Sequence, residues 1–285
     1  MKKLRLSTKL NLHATPRDDL FKYYTEGLDF VKNAGFSAAD FSADVIKPLG
    51  EGYSPLMEYL LRYTEETNLR FELAHLPFSL KATKDPSYMP IFEREMHNAI
   101  DAVAMLGVDY AVMHPNTITQ PLSDFDRTAS YDSVMSHLSP FVEHATRVGL
   151  HVVVENMRVV HEHYPTHRYC QEPDELAEIA DALGIGVCWD FGHAHIGGLK
   201  QSEALRYLGS RVKMLHVNDN TSLDDDHMPP FVGTIDWRDA MAGLREIGFD
   251  GFFNYEIATA RVPEALREDF ARYLVSAAKE IISYL

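Results

Sequence analysis

"SVMSHLSPFVEHATRVGLHVVVEN", residues 133–156, carries a helical stretch, a stop and a strand in succession. Up to Gly149 the apolar residues recur at three and four positions, the period of one helical face. Gly149 closes that pattern, because the left-handed cap conformation costs glycine nothing. The run His151–Asn156 that follows is rich in valine and reads as a strand with Glu155 near its end. A carboxylate behind three valines is hard to dismiss, since burying one uncompensated is expensive.

The phrase helix, glycine, spacer, strand recurs with Gly35, Gly107, Gly184 and Gly248 in the same slot. Helical patterns span "DLFKYYTEGLDFVKNAG" (19–35) and "MPIFEREMHNAIDAVAMLG" (89–107), and "PEALREDFARYLVSAAKEIISYL" reads as a closing helix. Strands are expected at 4–10, 37–43, 70–76, 110–115, 151–156, 186–191, 212–218 and 251–257. Strict β–α alternation implies a parallel sheet. Eight units with no glycine-rich phosphate turn after the first strand predict an α/β fold, a single (β/α)8 TIM barrel, rather than a doubly wound sheet. No linker or low-complexity tract interrupts the chain, so one domain over 1–285 is expected.

The 285 residues are 46% hydrophobic and 24% charged, ordinary for a soluble globular protein. Only Cys170 and Cys188 occur, without ligand-like spacing, which fits a reduced, cytoplasmic protein. The basic start "MKKLRLSTKLNLH" has no apolar core, so no secretory leader is expected, and no apolar run is long enough for a membrane span. A net charge of −15 and the lack of a Lys/Arg cluster argue against a nucleic-acid partner.

In a barrel of this kind the chemistry sits at the C-terminal ends of strands. Strands three to eight end in His75, His114, Glu155, Asp190, His216 and Glu256, about one βα unit apart. Period-2 alternation puts Val153, Cys188, Asn254 and Phe252 on the same inward face, and Val152, Val154, Val187, Trp189, Phe253 and Tyr255 under the helices. A single histidine at a strand end is more often a hydrogen-bonded core residue; six metal-competent side chains in register are a constellation. His193 follows Asp190 by three residues. Asp225 and His227 form an Asp-x-His pair after strand seven, with ligand and turn readings equally open; Asp224 and Asp226 read as solvated. His195 reads as a supporting or substrate contact, and "HEHYPTHR" (161–168) as a mobile loop over the site. His97, His137 and His144 read as ordinary helix residues. Trp237 and Phe231 could wall a sugar ring, but core packing is the plainer expectation for both.

With "AHLPF", "MHP", "VVVENM", "CWDFGHAH", "LHVNDN", "DDDHMPPFVGTIDW" and "NYE" in this order, the chain resembles the xylose isomerase-like TIM barrel superfamily across nearly its whole length. That superfamily includes sugar (phosphate) isomerases and epimerases, inositol-catabolism enzymes and endonuclease IV. Resemblance to the ketose 3-epimerases implies one divalent metal ion held by Glu155, Asp190, His216 and Glu256. The two glutamates would be the catalytic acid/base pair, and His193 would contact substrate; His75 and His114 are expected as substrate-binding residues beside it. Resemblance to endonuclease IV implies three zinc ions: His75, His114 and Glu155 for one, Glu155, Asp190, His216 and Glu256 for the second, His193, Asp225 and His227 for the third. The chain departs from that enzyme in "DFGH" after the strand-six aspartate and in "MPPFVGTIDW" after the Asp-x-His pair, both similar to the isomerases.

The leading expectation is therefore a metal-dependent isomerase or epimerase of a small-molecule sugar or sugar phosphate, working by proton transfer beside a carbonyl. Oxygen-rich ligands with one imidazole suit Mn²⁺, Mg²⁺ or Co²⁺, with Zn²⁺ also compatible. The alternatives are a multi-zinc phosphoesterase of endonuclease IV type and a barrel that binds sugar and metal without turnover. The oligomeric state is open.

Overall fold

A computed structural model describes residues 4–14 and 19–285. The expected strands form at Arg5–Lys9 (β1), Ala38–Ser42 (β2), Phe71–His75 (β3), Tyr110–Met113 (β4), Val152–Glu155 (β5), Gly186–Asp190 (β6), Val212–His216 (β7) and Phe252–Tyr255 (β8). They pair in parallel in the order β8-β1-β2-β3-β4-β5-β6-β7. Between β7 and β8 the ring is closed by one bridge just past β7, Val217 opposite Tyr255. The protein is thus a (β/α)8 barrel. Among the described residues no helix is long and apolar enough to cross a membrane.

Helices α1 (Leu20–Ala34), α2 (Ser54–Thr67), α3 (Met89–Leu106), α4 (Arg127–Arg147), α5 (Pro173–Leu183), α6 (Gln201–Leu208), α7 (Trp237–Glu246) and α8 (Arg267–Ile282) form the outer layer. The glycines at 35, 107, 149, 184 and 248 all take positive φ, as their slot after a helix requires. Helix α4 begins earlier than its apolar period because Asp126 caps it, accepting from Ala129 N at 3.0 Å.

The alternation of the strands divides the core in two. Phe41, Val154, Trp189, Phe253 and Tyr255 face outward into the layer under the helices. Ala38, Leu73, Val112, Val153, Cys188, Met214 and Phe252 form a separate apolar plug inside the barrel. One step of two residues further along each strand, the inward positions become Asp40, His75, His114, Glu155, Asp190, His216 and Asn254. The polar layer therefore rests on an apolar floor contributed by the same strands.

Two regions differ from expectation. The His-rich stretch 161–168 is anchored at its far end, where Thr166–His167 pairs antiparallel with Gln120–Pro121 and His167 Nε2 lies 2.7 Å from Glu175 Oε1. Trp237 is buried as expected, but Phe231 is 47% exposed and has φ of 70°, so it is not a core residue.

Candidate metal centre and active site

The polar layer begins with backbone geometry. Asp190 ends β6 and caps the short helix Phe191–Ile196, its Oδ1 accepting from His193 N at 2.7 Å. Asn156 locks this corner: its Oδ1 accepts from Asp190 N at 2.6 Å and its Nδ2 donates to Asp190 O at 3.0 Å. Asn218 donates from Nδ2 to Asp190 Oδ2 at 2.8 Å. Gly192 lies in the same crowd, where an added Cβ would meet Asn218 Oδ1 at 1.9 Å, so no other residue fits.

Glu155, Asp190, His216 and Glu256 each offer a ligand atom within 4.8 Å of the others. His216 Nδ1 stands between the two glutamates, 2.8 Å from Glu155 Oε1 and 3.0 Å from Glu256 Oε2. Its ring is stacked on His75, with centroids 4.4 Å apart. His114 Nε2 approaches Glu155 Oε2 at 3.1 Å, and His75 Nε2 approaches Glu256 Oε1 at 3.2 Å. In these last two contacts the buried Glu155 Oε2 and His75 Nε2 lack hydrogen-bond geometry, as does Asp225 Oδ1 beside His227. His216 Nδ1 does bond Glu155 Oε1, but buried donor atoms left without a partner in the same cluster, such as Glu155 Oε2, are what a cation site supplies. Three carboxylates and one imidazole thus fit a divalent ion.

A second group joins His193, Asp225 and His227. His193 Nδ1 donates to Asn156 O at 2.7 Å, which leaves Nε2 toward Asp225 Oδ2 at 3.4 Å. His227, at a φ of 47°, donates from Nδ1 to Glu256 O at 2.8 Å and turns Nε2 to Asp225 Oδ1 at 3.2 Å. Both rings are aimed by backbone carbonyls. A third group unites His75 and His216 with Asp40. It differs from the expected trio of His75, His114 and Glu155, because Asp40 takes His75 Nδ1 at 3.1 Å.

Electrostatics follow from the carboxylate surplus. Burial alone would raise Glu155 and Glu256, yet His216 and His114 hold Glu155, and Lys9, His216 and His75 hold Glu256, well below the usual range. Burial opposes protonation of His193 and His227, but the surrounding carboxylates outweigh it, raising them to about 10 and about 9. Asp190 is raised, chiefly by burial.

Lys9 and Asp40 belong to the site but were absent from the expected set. Lys9, the last residue of β1, places Nζ 2.5 Å from Glu256 Oε1. Burial works against its charge, while Glu256 and Asp40 more than restore it. Asn254 Nδ2 donates to Asp40 Oδ2 at 2.7 Å and ties this group to β8. His195 belongs to none of the three groups; its Nε2 meets Thr234 Oγ1 at 2.8 Å and helps hold the loop after β7. That loop is gathered by buried Asp219, which accepts from Phe231 N at 3.0 Å, Ile235 N at 3.1 Å and Trp237 Nε1 at 3.2 Å.

Comparison with known proteins adds the family context. A family model described as xylose isomerase-like TIM barrel matches residues 28–276. An uncharacterized protein of Methanocaldococcus jannaschii is 27% identical over 248 residues, 83% of this chain and 82% of that protein. The inosose isomerase of Bacillus licheniformis is 24% identical, covering 66% of this chain and 68% of its own. The crystal structure of a D-allulose 3-epimerase from Methylomonas sp. superposes with a TM-score of 0.74 at 14% identity, covering 99% of both chains.

Proposed function

The chain belongs to the xylose isomerase-like TIM barrel family, and from that premise we propose that it is a divalent-metal-dependent sugar isomerase or epimerase. The observation that carries this is the placement of Glu155 and Glu256 on either side of His216 Nδ1, within one four-residue donor set. The inosose isomerase and 3-epimerase relatives support the same reading.

Glu155, Asp190, His216 and Glu256 would hold the ion, which when bound supplies Lewis-acid polarisation of a sugar carbonyl. Glu155 and Glu256 remain anionic at neutral pH and approach from the end of β5 and from just past β8, so one can take a proton from the carbon beside the carbonyl while the other returns it. Their environments are unequal. Glu256 Oε1 accepts from Lys9, whereas Glu155 meets only imidazoles and is almost wholly buried. His75 and His114 hold the glutamates in place, and His193 faces the ligand space beside Asp225.

A second reading is favoured by the His193–Asp225–His227 group, which could hold a further ion as a multi-zinc phosphoesterase needs. Metal analysis of protein purified without chelator separates the two: one ion per chain for the isomerase, two or three zincs for the phosphoesterase. For the leading reading, a ketose substrate in D₂O gains solvent deuterium at the reacting carbon. Glu155→Gln and Glu256→Gln suppress that exchange by about 10²–10⁴-fold, with metal occupancy measured alongside. Full exchange in a metal-replete Gln variant would remove that glutamate from the proton path.

A further inference from the structure

The loop between β5 and α5 is pinched at its base, where Met157 N donates to Cys170 O at 2.8 Å. Two arginines stand at that neck. Arg168 is buried, 7% exposed, and donates from Nε to Thr117 O and Thr117 Oγ1, each at 3.2 Å. Thr117 lies three residues beyond His114, so this bond aims the guanidinium from beside the metal layer. Neither terminal nitrogen of Arg168 has a hydrogen-bond or ion-pair partner among the described residues. Arg158 reaches the opposite flank, with Nε 3.6 Å from Asp225 Oδ2 and the side chain one-third exposed.

A structural strut would explain the bond to Thr117. It does not explain why a buried arginine keeps the outer half of its fork unpaired at the neck of the loop, where the Met157–Cys170 bond brings Arg158 to the same end. Burial and then the charge of Arg158 lower Arg168 to about 10, against the pull of Glu155 and Asp225, so Arg168 remains a cation at neutral pH. Guanidinium forks in this state match the paired oxygens of a carboxylate or phosphate.

We propose that Arg158 and Arg168 form an oxyanion subsite beside the metal layer, selecting a sugar that carries a carboxylate or a phosphate. This rests on the isomerase reading and narrows it from sugars in general to acidic ones. The subsite sets binding and orientation and takes no part in the proton transfer itself.

The test is calorimetric titration of the metal-loaded protein with inorganic phosphate, D-glucuronate and neutral D-fructose. The wild type binds at least one of the two anions, and which one identifies the group. Arg158→Gln and Arg168→Gln each weaken that anion by about tenfold or more, while metal content and the response to fructose stay unchanged. Arg158→Gln carries the test should loss of the Thr117 bonds unfold the other variant, with the melting temperature as the check. Anion affinity equal to wild type in the folded variants, or no binding of either anion by wild type, overturns the proposal. Failure of the isomerase reading looks different: anion binding would persist with no deuterium exchange in any ketose.

Discussion

The two ends of the barrel offer the same strands and opposite chemistry. At the N-terminal end a cavity of about 770 Å³ is lined by Arg5, Asp109, Lys213 and Phe252 among others. There Arg5 lies over the Phe252 ring at 3.8 Å and faces Asp109 at 3.7 Å, both charges about half exposed. Charges set side by side in water are worth little to one another. At the C-terminal end, Glu155, Asp190 and His216 are at most 1% exposed and converge on one another. Burial disfavours these charges, yet facing groups of opposite charge hold Glu155 and His216 ionised, and such buried, strongly perturbed clusters concentrate at functional sites. Volume does not mark the site; convergence of buried, incompletely bonded donors does.

Substitutions at the two ends put that contrast at risk. His216→Ala removes the imidazole ligand of the proposed ion and lowers activity by about 10³-fold or more, and it lowers the melting temperature as well, because buried Glu155 and Glu256 lose the imidazole that holds them ionised. Arg5→Ala leaves metal content and turnover within about twofold. Metal analysis and kinetics of the two variants side by side would break the comparison if their effects were alike.

Lys9→Met sharpens it. Removing the ammonium leaves Glu256 Oε1 with His75 alone, and loss of such an orienting partner costs about 10–100-fold in metal affinity or activity, read by competitive metal titration. Asp219→Ala tests the frame rather than the centre. Its loss strands the donors of Phe231, Ile235 and Trp237, at about 1–3 kcal/mol for each of the two buried ones, visible as a lower melting temperature and new proteolytic cleavage within 219–237.

The smallest effect is expected in the helix layer, far from converging charges. His137, stacked on Phe92 at 5.9 Å, is lowered to about 4 by burial alone. Its folded value lies below the unfolded value of about 6.5, so its contribution to stability is complete above that pH and is lost as pH falls through about 4. His137→Gln therefore flattens the decline in melting temperature between pH 6.5 and 4, measured by calorimetry.

Much of this was legible in the sequence. The barrel followed from strict alternation, and the inward and outward faces from the period of two, as Val153, Cys188 and Phe252 inside and Trp189 and Tyr255 outside demonstrate. The strand ends located the candidate donors, because parallel strands deliver their last inward residues to one rim. Lys9 obeys the same rule on the first strand and is missed only when ligand types alone are sought. Asp40 carried a weaker signal, a carboxylate in the small, apolar run "AADFSA". The roles of Asn156 and Asp219 were not legible, since they depend on how loops far apart in sequence approach each other. Phe231 shows the limit of hydrophobicity as a guide: aromatic, yet turned outward by its left-handed backbone.

The lone bridge that completes the ring has a kinetic consequence. Every other neighbouring pair of strands is laced by several register positions, whereas β7 and β8 meet through Val217 N to Asn254 O at 2.8 Å and Glu256 N to Val217 O at 3.1 Å. The barrel accordingly has a seam, and its amides exchange with solvent ahead of those in the closed ladders. His216 and Glu256 sit on the two lips of that seam. An ion gripped by both would act as a clasp, so slowed exchange at Val217 and Glu256 on adding metal would report occupancy without any knowledge of the substrate.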